Sequence, residues 1–548
     1  MLSTQVLIIG AGPVGMVAAL SLSQQGVPCI LVDKRLERLD APKAHAVNPR
    51  TLEICERLGV SADDIRASGA SIADGGAVHF VDVLSGACFG SLPYERQDEG
   101  AKEFTPWPLV NIPQPRFEEF LSLCLTHRQG VSLLRGANAT DLTEQEDGVV
   151  VTLSLEGADE PVAVKAEYVV AADGAGSPAR EQLDIGMTGP EALQNYMMIH
   201  FEADLRELTS THPGLLYFCL SPDAGGVFIG YERDRTWVFM QSYDPNTQRR
   251  EDFTDAKCRT LIEAAAGAPI PDIRIRNVSP WTMSAQVADA YRKGRVFLAG
   301  DAAHRFPPTG GLGLNTGVAD AENIAWKLAQ VIKGRAPDHL LDTYEPERRS
   351  VALINSQQSL ENSAKIMHVF GAVYGPSPDQ TAEHYANACA NPTSPAIAQA
   401  VEIQRPHFDS FNLQLGYRYG ASTEPGAIDI SRYVPMFEVG DFLPLVKLAD
   451  GPWLLGRLPN DRFSLITGPD KSPWINESVE VFGENIDFKP AASFYKRAGL
   501  QADGALLIRP DGHICARWEK SPDKPQDALT EQLTRALAGE TGQQHEEQ

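Results

Sequence analysis

Residues 295–315 of this 548-residue chain read RVFLAGDAAHRFPPTGGLGLN and join an apolar strand to an acidic turn and a glycine-rich loop. The apolar run at 296–299 is typical of a buried strand, and Gly300 permits a sharp turn that places Asp301 at the strand's carboxyl end. The glycines of the loop leave backbone N–H groups uncovered where a helix is predicted over 314–333. Because a helix start carries about half a positive charge, the loop predicts a site for an anion or for a carbonyl oxygen that becomes anionic during reaction.

A second glycine loop, GAGPVG at residues 10–15, lies between two short apolar segments near the start of the chain. The segments at 6–9 and 29–32 predict a β–α–β unit. Asp33 follows the second strand, where a carboxylate can accept a hydrogen bond from an adenosine ribose hydroxyl. The arrangement predicts dinucleotide binding, but the spacing does not distinguish FAD from NAD.

A third acidic turn, DGAGS at residues 173–177, follows a strand predicted at 168–172. Sheets of the α/β class bind their ligands at the carboxyl ends of the strands. Three turns of this kind in one chain indicate one large cofactor that is contacted from several places.

Residues 196–243 have a different pattern, with successive segments rich in Val, Phe, Tyr and Trp that are separated by turn residues. This pattern predicts an antiparallel sheet in which most of the aromatic residues form the core. A few of them are expected to line a substrate cavity. The candidates are Tyr217, Phe228, Trp237, Trp281 and Met283.

Composition excludes several function classes. The formal net charge of −24 argues against a nucleic-acid-binding surface, which would need a basic face. The eight cysteines show no CxxC pair and no metal-ligand spacing, so we expect reduced thiols, a cytoplasmic protein and no metal. The first residues lack the basic region of a signal peptide, and no apolar run approaches the roughly 18 residues of a membrane span.

Three segments together resemble a known family. GAGPVG at 10–15, DGAGSPAR at 173–180 and GDAAHRFPPTGGLGLN at 300–315 are similar to the FAD-dependent aromatic hydroxylases, which are single-component (class A) flavoprotein monooxygenases. Within that class, PKAHAVNPRTLEI at 42–54 and FNLQLGYRY at 411–419 most resemble hydroxylases of substituted phenols, such as 2-hydroxybiphenyl and dichlorophenol monooxygenases. The resemblance covers essentially the whole chain.

The resemblance implies a fold of the α/β plus α+β class with three parts. The Rossmann-type FAD-binding domain, of the GR2 or p-hydroxybenzoate-hydroxylase (PHBH-like) type, would comprise residues 1–180 and 281–405. An antiparallel-sheet substrate domain would comprise 181–280 together with an excursion at 75–104. Residues 416–540, which include LLIRPDGHICARW with its hairpin turn at Asp511 and Gly512, would form a thioredoxin-like C-terminal domain. Without a CxxC pair this domain cannot perform dithiol chemistry.

The resemblance also assigns the cofactor site. FAD would be held with Asp33 at the ribose, Asp301 at the ribityl chain and Gln114 at the sugar or phosphate portion. The full set of expected FAD-binding residues is Gly10, Gly12, Pro13, Val14, Gly15, Asp33, Lys34, Lys43, Arg50, Gln114, Asp173, Gly300, Asp301, Pro308, Gly311, Leu312, Gly313, Leu314 and Asn315. Asp33 replaces the usual Glu, Lys43 replaces the usual Arg, and Asn111, assigned to the substrate site, stands where some relatives have Asp.

The reaction that the resemblance implies begins when NADH or NADPH reduces FAD, which then reacts with O2 to give a C4a-hydroperoxide. The electrophilic oxygen requires an electron-rich ring, and deprotonation of a phenol provides one. His45 is the candidate base, with a pKa expected near neutrality. The backbone that begins at Pro308 would position the peroxide and stabilise negative charge on the flavin.

Alternatives stay open at this point. The same fold could hydroxylate a larger polyketide aromatic, insert oxygen beside a ketone as a Baeyer–Villiger enzyme does, or act as a flavin reductase or oxidase. A flavin-binding scaffold without turnover is a further alternative. We expect a small phenolic substrate and a homodimer; the sequence does not choose between NADH and NADPH, nor does it identify the phenol.

Overall fold

The computed structural model of the protein describes residues 1–41, 43–422, 428–448, 453–470, 472–474, 479–482 and 493–540. Among these residues, eight strands form a sheet around which the first part of the chain is built. Its main path runs through Arg292–Lys293, Val296–Leu298, Val162–Ala171, Leu2–Ile9, Cys29–Asp33 and Val131–Arg135, with Ala137–Gln145 and Gly148–Leu155 as an antiparallel branch.

The central strands of this sheet are parallel and are buried on both faces. Leu2–Ile9 pairs in parallel with Cys29–Asp33 on one side and with Val162–Ala171 on the other, and the helix Pro13–Gln24 makes the first crossover. Parallel strands covered by helices are near-continuously apolar, as the sequence VLII at 6–9 is. The predicted β–α–β unit is therefore present, and all three acidic turns lie at the carboxyl ends of strands of this one sheet.

A second sheet holds seven of the described strands and is antiparallel except for one pair. Its order is Arg274–Met283, Gln194–Glu202, Thr236–Ser242, Gly226–Glu232, Leu216–Cys219, Ala77–Val81 and Cys88–Pro93. The last two strands come from an early part of the chain, and Ala77–Val81 pairs in parallel with Leu216–Cys219. This pairing brings residues that are far apart in the sequence to one edge of the sheet.

The two faces of the seven-stranded sheet have different partners, because successive side chains of a strand point to opposite faces. Tyr217, Phe228 and Trp237 lie in a fully buried core together with residues of the helix Asp255–Ala266. Residues of the opposite face, such as Tyr231, pack with Ala46 of the FAD-binding part and with Tyr94, which follows strand Cys88–Pro93. The prediction that Tyr217, Phe228 and Trp237 line the substrate cavity is therefore wrong for a cavity at His45, since they face away from it.

Helices connect and cover the sheets. The helix predicted over 314–333 is observed as Leu312–Ile332, and the long helix Tyr344–Tyr374 packs beside it. The other described α-helices are Pro49–Arg57, Ala62–Ala67, Ile72–Gly75, Gln114–Thr126, Pro178–Gln182, Thr381–Ala390, Pro395–Glu402, Phe411–Leu415, Ser493–Ala498 and Pro525–Leu537. Within the described residues, no helix combines the length and apolarity needed to span a bilayer.

The C-terminal part contains a mixed four-stranded sheet among its described residues, in the order Glu480–Phe482, Ser464–Thr467, Ala505–Ile508, Ile514–Trp518. The last two strands form the hairpin that the sequence predicts, and Gly512 adopts φ of 87° in its turn. The hairpin loop reaches the helix Leu312–Ile332, where Trp326 Nε1 donates to Asp511 Oδ2 at 3.0 Å. Part of the predicted 416–540 unit, including 483–492, lies outside the described residues.

Candidate active site

The first glycine loop forms a tight turn that leaves its middle position open. Gly10 has φ of 103°, and a Cβ at Gly15 would collide with the carbonyl oxygen of Gly10, so only glycine fits at either place. A Cβ at Gly12 would meet nothing within 4 Å. Gly12 is the N-cap of the helix Pro13–Gln24 and has no side chain with which to cap it, so the helix start is free to receive a phosphate group.

Asp33 lies beside this loop. Its Oδ2 accepts a hydrogen bond from Ala11 N at 2.9 Å, and its Oδ1 accepts from Arg35 N at 2.8 Å. The carboxylate is thereby held at the end of strand Cys29–Asp33, next to the open glycine loop, which is where the dinucleotide-binding motif places the ribose-binding acid.

The turn at Gly300 is held by Asp320 of the following helix, a residue that the sequence analysis does not identify. The Oδ2 of buried Asp320 accepts from Gly300 N at 3.1 Å and pairs with His304 Nε2 at 2.8 Å, while its Oδ1 accepts from Arg348 Nε at 2.8 Å. These contacts hold the strand end so that Asp301 is exposed beside Gly300, whose φ is 61°. The signal in the sequence was weak, because Thr316 and Asn323 lie one helical turn from Asp320 and make its helix face polar. Acids are almost never fully buried without partners.

The glycine-rich loop ends where the helix Leu312–Ile332 begins, with Gly311 as N-cap at φ of 62°. Gly311 N donates to Pro308 O at 3.1 Å, and Pro308 itself is exposed. A Cβ at Gly313 would meet nothing within 4 Å. This helix start, like the one at Gly12, presents backbone N–H groups to open space, as a site for the negatively charged edge of a reduced flavin requires.

Asn315 anchors this loop rather than binding the cofactor through its side chain. Its Oδ1 accepts from Asn48 N at 3.0 Å and from Thr51 Oγ1 at 2.7 Å, and its Nδ2 donates to Ala46 O at 2.9 Å and Gly311 O at 2.8 Å. All four hydrogen-bonding positions of the amide are occupied. The Asn315 side chain therefore ties the glycine loop to the segment that carries His45, and the predicted contact of Asn315 with FAD is left to its backbone.

The third acidic turn has an unused polar atom. Asp173 Oδ2 accepts from Ala179 N at 3.1 Å, whereas its Oδ1 is buried without a hydrogen-bond partner among the described residues. Burial raises the pKa of Asp173. A Cβ at Gly174 or Gly176 would meet nothing within 4 Å, so this turn also borders open space. An orphaned acceptor beside three open glycine turns fits a large polar cofactor such as FAD.

The remaining predicted FAD contacts divide into two groups. Lys34 and Lys43 are exposed and unobstructed, and Gln114 Oε1 accepts from Ala44 N at 3.3 Å. Arg50 is different, because it forms a buried ion pair with Glu53, donates to Leu415 O at 3.0 Å and stacks over the ring of Phe442 at 3.2 Å. The prediction that Arg50 contacts FAD is wrong, since its guanidinium is engaged in packing the C-terminal part against the helix that bears it.

His45 and Asn111 form a pair at the edge of this site. His45 Nδ1 lies 3.0 Å from Asn111 Oδ1, and Asn111 Nδ2 donates to Gly75 O at 2.9 Å. Because the amide oxygen can only accept, Nδ1 of a neutral His45 carries the proton and Nε2 is left with its lone pair. Burial lowers the pKa of His45 to about 4, and the hydrogen bond with Asn111 offsets only part of this effect. The expected pKa near neutrality is corrected accordingly.

Aromatic residues surround His45. Its ring lies 5.6 Å from that of Tyr94 and 5.9 Å from that of Tyr231, and Tyr231 donates to Lys43 O at 3.3 Å. A Cβ at Gly311 would lie 2.8 Å from Ala46 Cβ and 3.5 Å from Tyr94 Oη, so the glycine-rich loop abuts the histidine segment. The structure thus brings together His45, Asn111 and the predicted flavin loop, which are separated in the sequence.

Trp281 and Met283 lie on the same face of the seven-stranded sheet as Tyr231, and both are half-buried. The Trp281 ring stacks on that of Tyr196 at 5.9 Å with an interplanar angle of 27°. Of the aromatic cavity candidates, Trp281 is therefore positioned on the side that faces the FAD-binding part.

Comparisons with known proteins agree with this geometry. Residues 3–359 match the family model "FAD binding domain", and residues 438–539 match "Aromatic-ring hydroxylase, C-terminal". The chain is 30% identical to tetracenomycin A2 monooxygenase-dioxygenase of Streptomyces glaucescens, over 98% of this chain and 97% of that protein. It is also 30% identical to 4-methyl-5-nitrocatechol 5-monooxygenase of a Burkholderia species, over 97% of both chains.

Solved structures show the same relationship. The flavin-dependent monooxygenase PieE, in complex with FAD and substrate, superposes with a TM-score of 0.89 at 28% identity over 98% of this chain and 99% of that chain. Aklavinone-11 hydroxylase, in complex with FAD and aklavinone, gives a TM-score of 0.78 at 27% identity over 97% of this chain and 99% of that chain. With its glycine turns, its acids at strand ends and both family regions in place, the chain belongs to the FAD-dependent monooxygenases that hydroxylate aromatic rings.

Proposed function

We propose that this enzyme uses NADH or NADPH and O2 to hydroxylate a ring that bears an acidic phenolic hydroxyl, and that the ring is part of a fused, polyketide-like aromatic. The observation that carries the proposal is the His45–Asn111 pair, which leaves His45 Nε2 as a hydrogen-bond acceptor in a segment that abuts the glycine-rich loop at Ala46. An acceptor at this place orients a substrate hydroxyl and increases electron density in its ring.

The chemistry of His45 narrows the substrate class. A simple phenol such as the tyrosine side chain has a pKa of about 10, whereas burial lowers the pKa of His45 to about 4. Complete proton transfer to His45 is therefore strongly unfavourable for an ordinary phenol. A hydroxyl conjugated to a carbonyl or nitro group is far more acidic, so its proton leaves to water or is shared with Nε2 at little cost.

The shape of the site supports a broad, flat substrate. The sheet face beside His45 carries the half-buried side chains Tyr196, Met198 and Trp281, and the long helix adds Ile366 and Phe370. Partly uncovered apolar and aromatic surface is typical of a ligand pocket in which few polar groups fix orientation. A fused aromatic would cover more of this face than a single ring.

FAD fits the three glycine turns, and once reduced by the nicotinamide it supplies the activated oxygen that is transferred to the ring. Gly12 and the first turn of helix Pro13–Gln24 would hold the pyrophosphate, and Asp33 would accept from the ribose. The start of helix Leu312–Ile332 would stabilise negative charge on the flavin ring, an effect worth a few kcal/mol per preorganised donor. The buried rings of Tyr94 and Tyr231 would exclude water from the reacting atoms.

A single-ring phenol is the second candidate, because the nitrocatechol monooxygenase is as similar in sequence as the tetracenomycin enzyme. NADPH and NADH oxidation by the FAD-loaded enzyme should be measured with hydroxyanthraquinones, naphthols, nitrocatechols and simple alkylphenols. We expect hydroxyanthraquinones to stimulate oxidation most and alkylphenols least. Greatest stimulation by alkylphenols would overturn the proposed substrate class, and equal oxidation without any phenol would overturn the hydroxylase proposal.

A further inference from the structure

Three metal-ligating side chains converge at the edge of the seven-stranded sheet. His79, Cys88 and His212 each offer one ligand atom, and these atoms all lie within 4.8 Å of one another. His79 is in strand Ala77–Val81 and Cys88 begins the antiparallel partner strand. His212 lies in the loop before Leu216–Cys219, which pairs in parallel with the first of these strands. Spacing in the sequence could not reveal the cluster, because it depends on this parallel pairing.

The hydrogen bonds of His79 determine which of its ring nitrogens carries a lone pair that a cation can take. Its Nε2 lies 3.0 Å from Pro213 O, and since a carbonyl only accepts, Nε2 carries the proton. Nδ1 therefore holds the lone pair, and it lies 2.7 Å from the hydroxyl oxygen of Ser91. Cys88 Sγ lies 3.6 Å from the same hydroxyl. A histidine whose second N–H donates to a backbone carbonyl has the arrangement that orients metal-bound imidazoles in proteins.

The loop that carries His212 is held in place by its neighbours. Tyr217 Oη donates to His212 O at 2.8 Å. A Cβ at Gly214 would lie so close to His79 Nε2 that no larger residue fits there. The loop thus lies directly against the edge of the His79 ring, which is 5.6 Å from the ring of His212.

The cluster is separate from the flavin site. His79 contacts Tyr217, with ring centroids 5.2 Å apart, and Tyr217 belongs to the core beneath helix Asp255–Ala266 rather than to the face near His45. Arg233, whose positive charge acts on His79, forms an ion pair with Asp74 at 2.6 Å. His79 is buried, whereas Cys88 and His212 are half-buried, so an ion can reach the cluster from solvent.

We propose that His79 Nδ1, Cys88 Sγ and His212 bind Zn²⁺, with water or the Ser91 hydroxyl as fourth ligand. One thiolate with two imidazoles is a ligand set that suits zinc, in tetrahedral geometry with Zn–S of about 2.3 Å and Zn–N of about 2.0–2.1 Å. Binding forms one bond from the thiolate, two from the imidazoles and one from the fourth ligand. It breaks the hydrogen bond from Ser91 to His79 Nδ1 and releases the Cys88 thiol proton to solvent, with no redox change. The ion would join the 77–93 hairpin to the loop before Leu216–Cys219.

The experiment uses the full-length FAD-loaded protein, freed of metals by a chelator and titrated with Co²⁺ and then Zn²⁺. We expect one equivalent of Co²⁺ to give a thiolate-to-cobalt absorption band in the near ultraviolet, measured as a difference spectrum against the flavin, and Zn²⁺ to abolish it. Cys88→Ser should lose the band, and His212→Asn should weaken Co²⁺ affinity at least about tenfold. Cys124→Ser, which changes a half-buried cysteine of helix Gln114–Thr126, should behave as wild type.

Thermal midpoints without metal separate folding from binding. Cys88→Ser and Cys124→Ser should have similar midpoints when metal-free, and Zn²⁺ should raise the midpoint of wild type and Cys124→Ser but not that of Cys88→Ser. A wild-type protein without the thiolate band, or a band that persists in Cys88→Ser, would overturn the zinc site. If Cys88→Ser does not fold, His212→Asn decides through its Co²⁺ affinity, and an unchanged affinity counts against the proposal.

Discussion

Asn111 determines which nitrogen of His45 is available to a substrate. The hydrogen bond that Asn111 Nδ2 donates to Gly75 O orients the amide, so that its uncharged oxygen faces His45 Nδ1. A neutral partner counters only part of the effect of burial on the imidazolium, and the pKa of His45 is lowered to about 4. Above pH 5 His45 is therefore uncharged, and the pH dependence of turnover in that range must come from other groups or from the substrate.

The Asn111→Asp variant tests this argument. A carboxylate at the position of the Asn111 oxygen, 3.0 Å from Nδ1, favours the imidazolium and raises the pKa of His45. In the wild type, activity that depends on neutral His45 is lost only as the pH falls through about 4. We expect the acid limb of kcat/KM for substrate-stimulated NADPH oxidation to move to higher pH by at least about one unit. Asn111→Ala, which removes the hydrogen bond without adding a charge, is the control. If the acid limb of kcat/KM in Asn111→Asp stays where it is in the wild type, the His45–Asn111 pair does not govern turnover.

Two tryptophans on opposite faces of the seven-stranded sheet provide a matched pair. Trp281 is half-buried beside Tyr196, whereas Trp237 is fully buried. We expect Trp281→Ala to raise KM for the aromatic substrate while the thermal midpoint changes little. Trp237→Ala should cost about 3–5 kcal/mol of unfolding free energy. A large loss of stability in Trp281→Ala with unchanged KM would contradict the assignment of faces.

At the scale of elements, the glycine turns were predictable because the backbone itself requires them. Gly10 and Gly311 adopt positive φ, and such positions are marked in the sequence by the residue type. The partners of side chains were not predictable in this way. Asn315 bonds to a segment some 265 residues earlier, and Arg50 packs on Leu415 and Phe442, so their roles depend on tertiary contacts that no local pattern records.

The second limit on prediction from the sequence was which face of each strand turns toward the ligand. Alternation along Leu216–Cys219 shows that Tyr217 and Leu216 point to opposite sides, but it does not show which side a helix covers. That is decided by helix Asp255–Ala266, which follows later in the chain. The correct prediction of a sheet and the misplacement of Tyr217, Phe228 and Trp237 on its ligand-facing side have this common origin.

The first glycine loop allows a sharp test of cofactor binding. A Cβ at Gly12 would meet no protein atom within 4 Å but would occupy the space proposed for the pyrophosphate, whereas a Cβ at Gly15 would collide with Gly10 O. We expect Gly12→Ala to fold and to lose FAD, and Gly15→Ala to be destabilised even as apoprotein. Flavin absorbance after gel filtration and the thermal midpoint measure the two effects. Wild-type FAD retention by Gly12→Ala would refute the placement of the cofactor.

At the scale of the whole molecule, the C-terminal hairpin is attached to the FAD-binding part through buried charges. Arg509 Nη1 lies 2.6 Å from Glu347 Oε1, and Lys327 Nζ lies 2.8 Å from Glu347 Oε2. Arg57 Nη2 donates to Pro510 O at 2.6 Å. Lys327 belongs to helix Leu312–Ile332, which begins at the end of the glycine-rich loop. The motif DG at 511–512 predicts the hairpin, but no local pattern indicates this docking contact.

Arg509→Ala should destabilise the protein by about 3–5 kcal/mol, because Glu347 and Asp511 would be left buried without a full complement of cations. The pKa of Glu347, which Arg509 and Lys327 hold at about 2 against the opposing effect of burial, should rise in this variant. Arg206→Ala, which breaks an exposed pair with Asp204, should leave the free energy of unfolding nearly unchanged. Chemical denaturation measures both variants, and equal costs would contradict the idea that the buried network holds the two parts together.

The central claim is that this protein transfers oxygen from O2 to a phenolic ring, and isotopically labelled dioxygen tests it most directly. The FAD-loaded enzyme would be incubated with NADPH, labelled O2 and a hydroxyanthraquinone, and the products analysed by mass spectrometry. The account predicts a product that carries one labelled oxygen atom and consumption of one NADPH for each product formed. Oxidation of NADPH that yields only hydrogen peroxide with every phenol offered, and no label in any ring, would contradict it.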